Sequence, residues 1–342
     1  MVARRNRPVF VIGCPRSGTN LLYDTLLSAG GFAVYRGRLL VYQVLIPRFG
    51  RIDRLKDRAK MVTVWLRSKG FRRSGLDRAE LAAKLMEDCH SGGDFVRTVM
   101  GEIARKQGVN RWAVYDPENV VRIEMLKREI PEALFVHIIR DARDVALSLR
   151  KLREFNPLPW STKPRSLEEH ALFWEWMVQR GLSYREKIAD DYTEVRYEDL
   201  VANPQRTLDA LSRFLDHELD YRRILSTSLG TMSRTNSSFG GEPDGGASPV
   251  GRWKQRLRPQ EVTRLEWYVG KTLERTGYAL TGVAADWRPR IRDKFLRAVY
   301  PSFLNTKQRL KDKTVLRRLS NTDRLELTAE EEDVFSSSSP AP

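Results

Sequence analysis

Pro8-Val9-Phe10-Val11-Ile12-Gly13 is a short apolar run bounded by residues that punctuate structure, and it reads as a buried strand. Gly13-Cys14-Pro15-Arg16-Ser17-Gly18 follows as a loop. From Thr19 the apolar residues Leu21, Leu22, Leu26 and Ala29 recur at helical spacing until Gly30-Gly31 stops the pattern. A strand that passes through a glycine-bounded turn into a helix is half of a crossover unit. Chains built from such units fold into layered α/β sheets.

The remainder repeats the alternation. Arg111–Tyr115 is a second strand, closed by Asp116-Pro117, and Glu118–Arg128 reads as helix. Ala133–Ile139 is a continuous apolar strand that enters a helix at Asp141, extending to Leu152. Helices are also predicted over Leu76–Gly108, with a break at Ser91–Asp94, and over Ser166–Ile188, Pro204–Leu215 and Pro259–Gly277. Thr193–Tyr197 reads as a short strand. The fold class expected is therefore α/β, with a mostly parallel central sheet flanked by helices. Such sheets bind ligands at the C-terminal ends of their strands. Ser226–Pro249, rich in Ser, Thr, Gly and Asn, reads as a long loop. Residues 1–285 form the expected main domain, 286–329 a basic helical extension, and 330–342 a disordered acidic, serine-rich tail.

The 342 residues carry a net charge of +16, spread along the chain. A positive field attracts nucleic acid, acidic membranes or phosphorylated small molecules. No recognised nucleic-acid-binding motif is present, so a specific nucleic-acid partner is not expected. No run of apolar residues is long enough to span a bilayer, and Val9–Ile12 is too short for a signal-peptide core. A cytoplasmic location is expected. Two cysteines and four scattered histidines give neither a disulfide framework nor a metal-ligand motif.

A glycine-containing turn between a strand and a helix N-terminus presents backbone N–H groups and the positive end of the helix dipole to an anion. Gly13 and Gly18 have the spacing of the nucleotide-binding G-x-x-x-x-G-K-[ST] loop. However, Thr19 stands where the lysine belongs and Asn20 where the Mg²⁺-binding hydroxyl belongs. The cation, Arg16, lies inside the loop instead. A metal-dependent nucleotide hydrolase is disfavoured. A Cys-x₅-Arg phosphatase would need arginine at position 20, which is Asn20. Cys14 reads as a small buried residue.

The string Gly13-Cys14-Pro15-Arg16-Ser17-Gly18-Thr19-Asn20-Leu21-Leu22 resembles the 5′-phosphosulfate loop of the sulfotransferases, in particular the protein-tyrosine and bacterial branch. Three further segments resemble family motifs in the family's order. Arg140-Asp141-Ala142-Arg143-Asp144-Val145-Ala146-Leu147-Ser148 looks like the 3′-phosphate motif. Val195–Leu200, with Tyr197, looks like the segment beside the adenine. Gly251-Arg252-Trp253-Lys254, preceded by the polar 233–239 stretch, looks like the late basic loop. The resemblance covers residues 1–280. It implies the P-loop-like sulfotransferase fold and transfer of sulfonate from 3′-phosphoadenosine 5′-phosphosulfate (PAPS), without a metal, to a hydroxyl acceptor such as a carbohydrate, lipid or small molecule. It implies that Arg16, Ser17, Gly18, Thr19 and Asn20 hold the phosphosulfate, with Arg16 also stabilising the transferring group. Arg140 and Ser148 would grip the 3′-phosphate, while Tyr197 and Arg252 complete the nucleotide site.

Two expected catalytic positions depart from the family pattern. No carboxylate lies between Gly30 and Gly50, and the neighbourhood of the usual glutamate base holds Arg36 and Arg38. Tyr115 stands where a lysine normally precedes the Asp-Pro pair. Arginine cannot act as a base at ordinary pH. The replacement candidates are Asp116 and His90, then Asp94 and Glu118, each of which also reads as a cap, turn or surface charge. A catalytically weak PAPS-binding homologue is the alternative. Arg143 and Asp144 read as a surface pair, and His137 as a core or interface histidine. In the extension, Trp287, Phe295, Leu296, Val299, Tyr300 and Phe303 are interspersed with basic residues. This pattern fits either a helix packed on the main domain or an interfacial helix making peripheral contact with anionic lipid.

Overall fold

The structure is a computed structural model and describes residues 3–151, 164–229, 249–282, 287–313 and 322–327. Leu152, most of the 226–249 loop and the acidic tail lie outside the described residues. Five strands form one parallel sheet: β1 (Val9–Gly13), β2 (Phe32–Ala33), β3 (Arg111–Tyr115), β4 (Leu134–Ile139) and β5 (Tyr192–Arg196). Their order is β2-β3-β1-β4-β5. The fold is the α/β class expected. β1 and β4 are wholly buried, which is why both read as unbroken apolar runs rather than alternating ones.

The chain divides into two compact units. The first comprises residues up to Gly30, Ala113–Ile123 and Ala133–Thr306. It holds β1, β4, β5 and most of β3, with helices Thr19–Ser28, Ala142–Arg150, Leu167–Leu182 and Pro259–Arg275. The Leu167–Leu182 helix opens with a reciprocal capping box, Ser166 with Glu169. His137 is a core residue of β4. Its Nδ1 lies 2.6 Å from the Tyr192 hydroxyl, and burial lowers its pKa to about 4.

The second unit comprises Gly31–Trp112, Glu124–Glu132 and residues from Lys307 onward. Here Phe32 and Ala33 of β2 pair with Arg111 and Trp112. Trp65 is its buried centre, meeting the rings of Phe71 and Phe95 edge to face at 5.8 and 5.5 Å. A π-helical turn at Val41–Leu45 and the helices Leu55–Trp65 and Lys69–Ser74 were not legible in the sequence. The C-terminal turn Thr322–Leu325 buries Leu325, and Lys69 pairs with Glu326 beside it. Among the described residues no helix is long and apolar enough to cross a membrane.

Candidate functional site

Strand register sets the geometry of the site. Gly13, the last residue of β1, lies opposite Ile138 of β4. Ile139, the last residue of β4, lies opposite Arg196, the last of β5. The next residues are the Cys14–Gly18 loop, Arg140 and Tyr197, so these three emerge side by side at one edge of the sheet. β1 is flanked by β3 and β4; the chain runs from β1 to β2 on one side and from β3 to β4 on the other, and such a reversal is where open parallel sheets form a crevice. Tyr197 proves to be the first residue of a short helix, Tyr197–Ala202, rather than the end of the strand.

The loop presents a set of donors. Arg16 (φ 74°) and Gly18 (φ 96°) both adopt left-handed backbone, a turn that gathers successive N–H groups into a concavity. Gly18 is the N-cap of the Thr19–Ser28 helix, and among the described residues no side chain caps that end. Among the described residues the first-turn N–H groups therefore lack an intrahelical or side-chain acceptor. Ser17 is fully buried, and among the described residues its hydroxyl has no hydrogen-bond partner. A buried unsatisfied hydroxyl costs about 1–3 kcal/mol unless something accepts or donates there. An oxyanion at the helix end fits this donor set. Thr19 is buried and Asn20 is exposed. Cys14 is fully buried, and burial pushes its thiol far above the ordinary value, which leaves it a protonated packing residue.

The arginines and Ser148 converge on this loop. The Arg16 Nε donates to the Ser148 hydroxyl at 2.9 Å. Arg140 Nη1 donates to the Arg16 carbonyl at 3.3 Å, and Nη2 to the Pro249 carbonyl. Its guanidinium lies 4.3 Å from the Tyr197 ring centre. Tyr197 is buried, and a Cβ on Gly18 would collide with its ring, so glycine is needed there for both φ and space. The main chain of Arg140 is fixed in turn. Its carbonyl accepts from Trp174 Nε1 at 2.9 Å. The next amide, of Asp141, donates to Glu198, which also accepts from the Tyr278 hydroxyl.

Arg143 and Asp144 correct the sequence reading. They are 2% and 3% exposed and do not pair with each other across a surface. Arg143 is bound by Asp141 at 2.7 Å and Glu266 at 2.6 Å, with its guanidinium 3.8 Å from the Trp253 ring centre. Asp144 accepts from the amides of Gly251 (2.8 Å) and Trp253 (2.9 Å). Burial raises its pKa, opposed by Arg140 and by those two donors. Asp144 thus clamps the turn that carries the exposed Arg252. Asp144→Asn turns one acceptor into a donor facing a backbone amide. It is expected to cost about 1.5–3 kcal/mol and to raise amide hydrogen exchange across residues 249–257. Unchanged exchange there would contradict the clamp.

Asp116 is buried at the end of β3 and caps the Pro117–Arg122 turn through the Glu118 amide at 3.2 Å. It lies in the same unit as the loop. Tyr115, before it, packs on Tyr23 with ring centres 4.6 Å apart. Arg38 and His90 belong to the second unit, where His90 is exposed with Nδ1 3.4 Å from Arg58. Asp94 completes a capping box with Ser91. Sequence reasoning missed Trp174 and the anchoring contacts of Glu198 and Asp144, because their partners are remote in the chain.

Residues 8–221 match the profile of the sulfotransferase family. The chain belongs to that family. It is 25% identical over 220 residues to a candidate protein-tyrosine sulfotransferase of Caenorhabditis briggsae, covering 63% of this chain and 68% of that one. Among solved structures it is similar to the sulfotransferase domain from the curacin biosynthetic pathway, with a TM-score of 0.49 and 19% identity over 80% of this chain and 98% of that one. A second is the sulfotransferase domain of the Synechococcus PCC 7002 olefin synthase, with a TM-score of 0.47 and 17% identity over 86% and 94%.

Proposed function

We propose that this family member moves sulfonate from PAPS to a hydroxyl acceptor by in-line displacement. The observation that carries the reading is the convergence of a helix end lacking a side-chain cap, the buried Ser17 hydroxyl, Arg16, Arg140 and Ser148 at one sheet edge. The bound donor supplies an activated sulfur, whose bond to the phosphate oxygen breaks as the acceptor oxygen bonds to it. The loop amides with Ser17, Gly18, Thr19 and Asn20 hold the 5′-phosphosulfate. Arg16 neutralises charge growing on the departing phosphate, a task that needs no metal when a guanidinium performs it. Arg140 and Ser148 take the 3′-phosphate. The Tyr197 ring lies against both the Arg140 guanidinium and Gly18, and the Arg252 turn, clamped by Asp144, closes the site.

Asp116 is the candidate proton acceptor that shares the loop's unit and edge. Asparagine caps as well as aspartate, so Asp116→Asn is expected to leave the melting temperature unchanged while lowering turnover about a hundredfold or more. Unchanged turnover would reduce Asp116 to a cap. The reaction itself is tested with labelled PAPS against carbohydrates, lipids, phenols and peptides in the presence of EDTA. Labelled product from a hydroxyl acceptor is expected. Tight nucleotide binding with no transfer to any class would favour the binding homologue.

A further inference from the structure

We propose that the outer face of the Ile291–Lys313 helix, over residues 288–302, is a docking surface for an anionic lipid bilayer. The inner face of this segment is committed to the first unit. Asp293 is buried, accepting from the Tyr268 hydroxyl at 3.0 Å and from the Arg290 amide at 2.9 Å. Tyr300 and Leu304 are buried, and Asn305 accepts from Trp176 Nε1 at 2.8 Å. Arg297 lies 4.8 Å from the Trp267 ring centre. These contacts fix the helix and determine what points outward.

What points outward is apolar and cationic together. Ile291 is 87% exposed, Phe295 67% and Val299 41%. They stand four residues apart, so they form one stripe along the helix. Scattered exposed apolar residues need no explanation, but a contiguous stripe does. Arg288, Arg290, Arg292 and Lys294 are all exposed around it. Among the described residues of 287–302 the one carboxylate is Asp293, which is turned inward. An apolar stripe with a cationic margin is the pattern that lies at the headgroup boundary of anionic bilayers. A second copy of the chain fits poorly, because a two-fold pairing would bring like charges together across the contact. Ile291, Phe295 and Val299 all precede Pro301, which lies inside the helix.

This inference is independent of the donor reading. The test is flotation of the full chain with phosphatidylcholine vesicles, with and without phosphatidylserine, at low and high salt, alongside sedimentation without lipid. Binding is expected only with phosphatidylserine and only at low salt. Phe295→Glu, at an exposed position, is expected to abolish binding while leaving the melting temperature unchanged. Replacing Arg288, Arg290, Arg292 and Lys294 by Gln should weaken binding about fivefold per charge removed. Absence of binding at low salt, or binding that survives Phe295→Glu, would overturn the proposal. So would a dimer in solution that dissociates on that substitution, since the face would then pair copies.

Discussion

Arg140→Ala is expected to bind adenosine 3′,5′-bisphosphate about ten- to a hundredfold more weakly, with adenosine 5′-phosphate affected far less. Each charge-assisted hydrogen bond to phosphate contributes about 1.5–3 kcal/mol, and 1.4 kcal/mol is tenfold. The role proposed for Arg140 is supported by its position one residue beyond β4, by Trp174 on its carbonyl and by the Tyr197 ring against its guanidinium. It also ties the Arg16 and Pro249 carbonyls together, so some loss on mutation will be structural. The ratio of the two affinities separates the effects, because a loosened loop weakens both nucleotides alike. Arg140→Lys keeps the charge but loses the planar fork, and should fall between. An unchanged ratio in the alanine variant would remove Arg140 from the 3′-phosphate.

Arg16→Ala should behave differently. Its guanidinium is the exposed cation of the loop, held through Nε by Ser148. Removing a preorganised donor aimed at developing charge lowers turnover about a hundred- to a thousandfold. Ground-state affinity for the bisphosphate should change much less, because the loop amides and Arg140 remain. The left-handed φ of 74° at this position is strained for alanine as for arginine, so the substitution adds no new backbone cost. The check is kcat against bisphosphate Kd in the same variant. A large loss of affinity with little loss of turnover would move Arg16 from the reacting end of the nucleotide to its binding end.

Much of this site was legible in the sequence, for identifiable reasons. β1 and β4 are buried on both faces, so they read as apolar runs. Gly13 and Gly18 mark a turn that only small residues permit. Arg140 follows a strand directly. What escaped the reading depends on distant partners. Arg143 and Asp144 are adjacent charges, and adjacent charges in a helix are ordinarily solvated. Their burial comes from Glu266, Gly251 and Trp253, more than a hundred residues away. β2 is two residues long, too short to show alternation. The π-helical turn at Val41–Leu45 has no sequence signature, since the reading rests on periods of 2 and 3.6. Tyr197 reads as the end of the Thr193–Tyr197 strand, whereas it opens the Tyr197–Ala202 helix and its ring lies on Gly18.

The central claim is that the edge formed by the Gly13–Gly18 loop, Arg140 and Tyr197 binds a 3′-phosphorylated adenine nucleotide through protein donors alone. Calorimetric titration with adenosine 3′,5′-bisphosphate in EDTA tests it most directly, with ATP titrated in parallel. Binding with a one-to-one stoichiometry, unaffected by the chelator and tighter than ATP, is the predicted result; binding that requires added Mg²⁺, or ATP bound as tightly, would contradict it.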